Sequence, residues 1–561
     1  MPARRTDGNA PISRAGPVQR TAATCAACIL GVLLATVATA QVAPPGIVAE
    51  RAAMNSIAEV GFNHSEIPET AEYLADQIGG RMTNSPAMRR AERWTRERFS
   101  AWGLKNAHTE GFDFGRGWWI ESAHIRMVTP RALELKGIPV AWTPPTHGVL
   151  SAAIVVAPLS STKDFADWKG KLAGKIVLAS WPAPQHDDGD AVFQRYSDAE
   201  IVKFDRFQQP TLDPELRRKR IERYRFRIQL DDFLAAEGAA ALVTMSRSEG
   251  RLVHGEGYAH QVGKTPKVPA VELAAEDYRR LARLAKLGEV QLEIENRVHY
   301  EDADHNAYNV IAELPGSEPK AGYVMAGAHL DSWVAGDGAA DNGAGCVMVM
   351  EAARILATLG VKPRRTVRFI LWAGEEQGLL GSAAYVEKHL AQRPPATDPE
   401  LRDLPPYFAQ DTYPVKTLQE FSELAAYFNI DNGSGKVRGI YTEGNLNVVA
   451  TLREWLAPFV SMGAAAVVAE PTDATDHVFL SRLGLPAFQF IQDPLDYETR
   501  VHHTDIDTYD HLRIEDMKQG AVVLASVLLA AANADRPLPR KPVPTEPKVS
   551  DPFAYPDPSK K

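Results

Sequence analysis

Cysteine is nearly missing from this chain, whose 561 residues include only Cys25, Cys28 and Cys346. The first two sit in an N-terminal stretch with the marks of a cleaved leader, which leaves one thiol in the processed protein. One thiol excludes an intrachain disulfide, and it excludes the thiolate cages that structural zinc sites use. A disulfide would contribute ~2–4 kcal/mol, roughly the burial of one or two leucine or phenylalanine side chains. A chain with 45% hydrophobic residues has core enough to do without it. Charge of one sign is scarce as well. Against 71 acidic residues stand 62 basic ones, and the net charge of −9 is not gathered in blocks, which excludes a nucleic-acid partner. The densest basic run, Arg217 to Arg227, is interleaved with Ile221, Tyr224 and Phe226 and reads as the solvated side of an amphipathic helix.

Apolar runs long enough to span a bilayer are also missing. The nearest, Thr21 to Ala40, is short of large side chains, follows Arg4, Arg5, Arg14 and Arg20, and closes on Ala38-Thr39-Ala40, the small-residue pattern of a signal-peptidase cut. Residues 1–40 are therefore expected to be a signal peptide. The protein then starts near Gln41, is exported to the periplasm or the medium, and keeps no stable membrane span. From Asp535 the chain turns rich in proline and lysine and poor in apolar residues, so residues 535–561 are expected to form a disordered tail.

What is present is an α/β pattern. Ser85 and Pro86 have the chemistry of a helix start, and a helix to about Trp102 follows. Later, strand-like runs at Tyr308–Glu313, Tyr323–Ala328, Val367–Ala373, Ala425–Ile430 and Pro486–Ile491 alternate with helical stretches at Gly345–Thr358, Leu379–His389, Val448–Val460 and Met517–Ala532. This predicts a mostly parallel mixed sheet sandwiched by helices, built from residues 41–122 and 298–534. Residues 123–297 differ in texture, with short buried strands around a polar segment, and read as an inserted smaller domain. Gly115-Arg116-Gly117-Trp118-Trp119 stands at its near edge, as core packing or as a wall of a cleft.

Polar residues follow these strands in a telling way. His329-Leu330-Asp331-Ser332 leads to Asp341-Asn342-Gly343, and Glu375-Glu376 ends the run from Val367. Asp431 follows a third strand, and His502-His503 comes soon after a fourth. In open α/β sheets ligands collect at the carboxyl ends of strands, so these groups are aimed at one place. Imidazole and carboxylate without thiolate make a hard donor set with room for an open position, which suits a catalytic metal better than a structural one.

The pieces HLDSWVAGDGAADNGAG, WAGEEQGLLGS, FNIDNGSG, Thr475-Asp476-His477 and HHTDIDT, in that order, resemble the M28 family of zinc exopeptidases. FQFIQDPLDY with the doubled histidine is most like its carboxypeptidase Q-like branch and bacterial relatives. The resemblance implies the zinc exopeptidase fold, with residues 123–297 as a protease-associated domain. It also implies two zinc ions, one held by His329 and Asp431, the other by Glu376 and His503, with Asp341 shared between them. Glu375 would be the general base toward a water between the ions. The Asp331 carboxylate would accept the second ring proton of His329. Asp476, His477 and His502 would serve the substrate or support the ligands, His502 standing where some relatives carry a tyrosine. Cys346, at a helix start beside this set, reads as a small buried apolar residue. The implied activity is hydrolysis of terminal bonds of short peptides, as an aminopeptidase or as a carboxypeptidase or dipeptidase. A glutaminyl-cyclase-like transferase with a single zinc and a non-catalytic receptor are the alternatives, and the complete ligand set speaks against both. Relatives of this kind often dimerise, although no apolar stripe here marks a homodimer interface.

Overall fold

The protein is described by a computed structural model over residues 45–185, 191–207, 214–257, 260, 262–402 and 404–547. The expected signal peptide, residues 1–40, and the end of the expected tail, 548–561, lie outside these described residues. The chain divides into Met1–Glu50 and Arg51–Lys561. In the first unit only the opening turns of the helix Pro45–Asn63 are described, and both sheets and the site belong to the second.

The main sheet has eight strands in the spatial order Lys105–Asp113, Asn306–Leu314, Thr366–Trp372, Tyr323–His329, Leu424–Asn429, Ala487–Gln492, Val437–Tyr441 and Ala466–Val468. The four central strands run parallel, and the strands next to them on either side, Asn306–Leu314 and Val437–Tyr441, run antiparallel to them; the outermost Lys105–Asp113 pairs antiparallel and Ala466–Val468 parallel to its neighbour. Side chains along a strand alternate between faces. Val324, Ala326 and Ala328 therefore enter one core with Phe369 and Phe428, while Tyr323 and Met325 enter another with Ile370 and Tyr427. Both faces are covered, which is why these strands read as continuous apolar runs rather than alternating ones. The helices Ala344–Thr358 and Ile514–Asn533 lie on the first face, packed against each other. The expected helix start is observed: Ser85 accepts the Met88 N–H at 3.2 Å, and Pro86 opens Pro86–Ala101.

A second eight-stranded sheet runs in the order Leu133–Glu134, Gly117–Thr129, Gln291–Glu301, Leu150–Val156, Ile176–Leu178, Ala241–Met245, Ala270–Leu273 and Gly137–Pro139. It has a core of its own around Ile125, Leu178, Val243, Leu273, Tyr278 and Leu292. Its two long strands pair without a break in strand direction from Gly117 opposite Glu301 to Thr129 opposite Gln291. Edges drawn at 123 and 297 thus fall inside one ladder, because texture changes gradually along strands that are half exposed. Trp118, at the near edge, is fully buried and donates to the Thr143 carbonyl at 3.2 Å, as core packing requires.

The segment from Asp535 differs from the expected disordered tail as far as it is described. Leu538 is buried, Val543 packs on the second core of the main sheet, and Arg540 donates to the Leu424 carbonyl at 2.8 Å. The Lys541 N–H donates to Gly484 at 2.9 Å and its ammonium to the Glu443 carbonyl at 2.6 Å. Composition misses such a segment because a few anchors and backbone bonds hold it, rather than a run of apolar residues. Among the described residues no helix is long and apolar enough to cross a membrane.

Candidate metal centre

Neighbouring parallel strands deliver the predicted ligand groups to one edge of the main sheet. His329 ends its strand, Glu375 and Glu376 follow Thr366–Trp372, and Asp431 follows Leu424–Asn429. Asp341 comes from the turn Ala339–Gly343, where its backbone is extended (φ −114°, ψ 96°), just before the helix Ala344–Thr358. That turn is fixed on every side. Asp507 accepts the N–H groups of Ala340 and Asp341 at 2.6 and 3.0 Å, and Asn342 donates to the Ile430 carbonyl at 2.9 Å. A Cβ on Gly345 would lie 2.2 Å from the Asn342 side-chain oxygen and 2.5 Å from the Ile430 carbonyl, so only glycine fits there. Arg81, fully buried, donates to the carbonyls of Leu330, Asp337 and Gly338 at 2.7, 2.8 and 2.6 Å and so laces the loop between His329 and Asp341.

The donor atoms form two groups that share Asp341. His329 Nε2 lies 3.4 Å from Asp341 Oδ1 and 3.2 Å from Asp431 Oδ1. His503 Nε2 lies 3.1 Å from Asp341 Oδ2 and 3.0 Å from Glu376 Oε2. Zinc bonds of ~2.0 Å at tetrahedral angles would set donors about 3.3 Å apart, so both spacings fit an ion of that size. Glu376 Oε1 is buried and accepts no hydrogen bond among the described residues, and the buried Asp341 Oδ2 faces imidazole nitrogens alone, those of His503 and His502. Buried carboxylate oxygens without donors are costly unless a cation or a proton satisfies them, and the imidazole and carboxylate donors match zinc. The set expected from the resemblance is thus brought together, with each half presenting one imidazole, one terminal carboxylate and one oxygen of Asp341.

Glu375 adjoins this set without an ion-pair partner among the described residues. Burial, with Asp431, Asp476 and Glu376 nearby, pushes its carboxyl well above the usual range, against the pull of His329. Burial likewise raises Glu376 to about 7, with His503 opposing. Asp331 departs from its expected role. The Nδ1–H of His329 donates to the backbone carbonyl of Asp331 at 2.9 Å, whereas the carboxylate is 3.8 Å away. That carboxylate accepts instead from the N–H groups of Glu375 and Glu376 at 3.2 and 3.3 Å and from the Thr83 hydroxyl at 3.0 Å. The strand turns just after His329, which brings its carbonyl under the ring and swings its side chain toward the adjacent strand end. Asp331 therefore orients both the imidazole and the Glu375-Glu376 turn, by different groups.

The supporting residues divide. His502 Nε2 stands 3.7 Å from Asp341 Oδ2, its ring 3.8 Å from that of His503, so it joins the site. Asp476 is fully buried, and burial pushes its carboxyl up to about 8, against the pull of His329 and the Ser382 hydroxyl. His477 points away, its Nε2 3.0 Å from the Thr472 hydroxyl and 3.3 Å from Glu443. Cys346 is buried, donates to the His329 carbonyl at 2.9 Å, and has its thiol pushed up to about 12 by burial, which makes it inert.

The ligand groups floor a cleft of about 400 Å³ whose walls include Tyr407, Phe408 and Tyr497 and, from the second sheet's helix Pro214–Ala236, Arg220 and Tyr224. The basic run is helical as expected, but this part of it is not simply solvated. Arg220 and Tyr224 are one turn apart on one side of the helix, a spacing legible in the sequence, although nothing there says what that side faces. Among the described residues Arg220 is the sole guanidinium or ammonium group lining the cleft, and it donates to the Tyr407 hydroxyl at 3.3 Å. Glu256, also from the second sheet, reaches His503 Nδ1 at 3.4 Å. Sequence reasoning passed over Arg81, Glu256 and Asp507. Of these only Asp507 carried a signal, through its place in HHTDIDT.

Residues 309–528, which include His329, Asp341, Glu375, Glu376, Asp431 and His503, match the family model described as Peptidase family M28. The chain is 25% identical to carboxypeptidase Q of Bos taurus over 482 residues, which cover 84% of this chain and 86% of that one. Among solved structures it is similar to a peptidase M28 precursor from Shewanella amazonensis, with a TM-score of 0.62, 24% identity and coverage of 90% of this chain and 100% of that one. It is also similar to a zinc aminopeptidase from Bacillus subtilis, with a TM-score of 0.54, 19% identity and coverage of 84% and 95%.

Proposed function

This chain belongs to peptidase family M28, and from that premise we propose that it is an exported exopeptidase that takes two zinc ions and releases a terminal residue from short peptides. The observation that carries the reading is the sharing of Asp341 between two donor pairs, His329 with Asp431 and His503 with Glu376. His329 and Asp431 would hold one ion, Glu376 and His503 the other, and Asp341 both. When bound, such a pair supplies Lewis acidity to the scissile carbonyl and to the attacking water. Glu375, beside the ligands and with no competing ion pair among the described residues, takes the proton from that water and returns it to the leaving amine. Asp331 keeps Glu375 in place through the backbone. Export rests on the leader pattern of residues 1–40.

The direction of cleavage follows from charge. Relatives named for carboxypeptidase and for aminopeptidase activity point opposite ways, and Arg220 favours the first. A terminal ammonium would be drawn to carboxylates that the ions already occupy, whereas a terminal carboxylate finds a guanidinium on the wall of the same cleft. Hydrogen bonds to charged groups contribute about 1.5–3 kcal/mol, so Arg220→Ala should raise KM about tenfold or more for substrates with a free carboxylate. It should leave their C-terminal amides nearly unaffected.

The experiment is a panel of free dipeptides, N-blocked peptides and C-terminal amides, with bound zinc quantified and chelator controls. Chelator-sensitive cleavage of N-blocked peptides with a free carboxylate is expected. Cleavage that needs a free amine and ignores amidation would reverse the direction. No cleavage by protein carrying two ions would return the transferase and receptor readings.

A further inference from the structure

Beside the contact of Arg220 with Tyr407, the second sheet reaches the metal centre through the HHTDIDT stretch of residues 502–508. Three alternate residues of that segment face three different partners. His503 turns its Nε2 to Asp341 and Glu376, and Asp507 caps the turn that carries Asp341. Asp505, between them, is bound to the second sheet. Its N–H donates to the Val253 carbonyl and its Oδ1 accepts the Val253 N–H, both at 3.0 Å, while Lys136 lies 2.6 Å from its Oδ2.

The same loop of the second sheet, between Ala241–Met245 and Ala270–Leu273, supplies Glu256. Its Oε1 faces His503 Nδ1 at 3.4 Å and is itself held by an ion pair with Arg247. His503 sits in the left-handed region at φ 62°, which few side chains adopt without outside support. An imidazole that offers one nitrogen to a metal is oriented by what its other nitrogen donates to. For His329 that partner is local, the carbonyl of Asp331 two residues on. For His503 it comes from the other sheet.

Resting on the two-ion reading, we propose that the second sheet is a working part of the metal centre. Glu256 is the positioning residue of His503, and seating of the loop 252–256 on residues 503–505 is coupled to occupancy of the ion position formed by Glu376 and His503. The ion position formed by His329 and Asp431 has no such dependence, since its imidazole is oriented within its own loop. The inserted sheet therefore acts on one ion more than on the other.

The test is zinc affinity measured by competition with a chromophoric chelator, on the full chain as wild type, Glu256→Gln and Glu256→Ala. Partners of this kind contribute about 10- to 100-fold in metal affinity. Glu256→Gln should weaken one of two ions about tenfold and Glu256→Ala by more, with the second ion unchanged in both. By linkage, zinc should in turn slow amide exchange at Val253 and Asp505 in the wild type. Wild-type affinity for both ions in folded Glu256→Gln would overturn the positioning role, even if Glu256→Ala fails to fold. Exchange at Val253 and Asp505 that ignores zinc would overturn the coupling. A wild type that takes up no zinc would refute the two-ion reading itself, and is told apart because it needs no variant.

Discussion

Glu375→Gln is expected to keep both zinc ions and to lose roughly 10²- to 10⁴-fold in kcat, the range for removing a positioned general base. The substitution preserves shape, and the Asp331 carboxylate still receives the backbone N–H of residue 375, so the turn should not move. What changes is proton capacity. Burial and the carboxylates of Asp431, Asp476 and Glu376 give Glu375 a high proton affinity, which the amide lacks. KM should change little, because among the described residues Glu375 forms no ion pair that its loss would free. Steady-state kinetics on the peptide panel, with zinc counted in the same samples, decides the matter. Full turnover by a variant that holds two ions would remove Glu375 from the mechanism.

How far the sequence announced this site depends on distance along the chain. The runs Tyr323–Ala328, Val367–Ala373 and Ala425–Ile430 are buried on both faces, so their apolar character marked the central strands to within a residue or two. Polar residues directly after such runs had to lie at the sheet's edge, which is why His329, Glu375, Glu376 and Asp431 could be singled out. The strands Val437–Tyr441 and Ala466–Val468 escaped notice. The first is interrupted by Arg438 and Gly439, and the second is three residues long at the edge of the sheet, where one-sided pairing weakens the pattern. The role of Asp331 turned on which of two oxygens lies under an imidazole, a matter of local dihedral angles that residue type does not encode. Glu256 was beyond reach for a different reason. It meets His503 across 247 positions, and nothing in a glutamate within a loop of a second sheet signals that partner.

Asp341→Ala should have the broadest effect of any single substitution, since Asp341 is the residue that both donor groups use. Structural zinc held by four ligands is worth ~10–16 kcal/mol, or roughly 3 kcal/mol per ligand, which is about two orders of magnitude in affinity for each ion. Bound zinc should fall from two per chain to less than one, and activity should fall with it. Glu376→Ala, which strips a ligand from one group alone, should leave the other ion in place. The contrast between the two variants isolates sharing from ordinary ligation. Stability supplies a second readout. Zinc that binds only the folded chain raises Tm in proportion to RT ln(1 + [Zn]/Kd), so added zinc should raise the Tm of the wild type and hardly that of Asp341→Ala. Without zinc the substitution still costs stability, because, against the opposing effect of burial, His329, His503 and His502 hold the Asp341 carboxyl well below the usual range. At neutral pH the metal-free variant should then be less stable than the metal-free wild type. Metal analysis that finds two tightly held ions in Asp341→Ala would refute the shared ligand, and with it the pairing of donors on which the proposed chemistry stands.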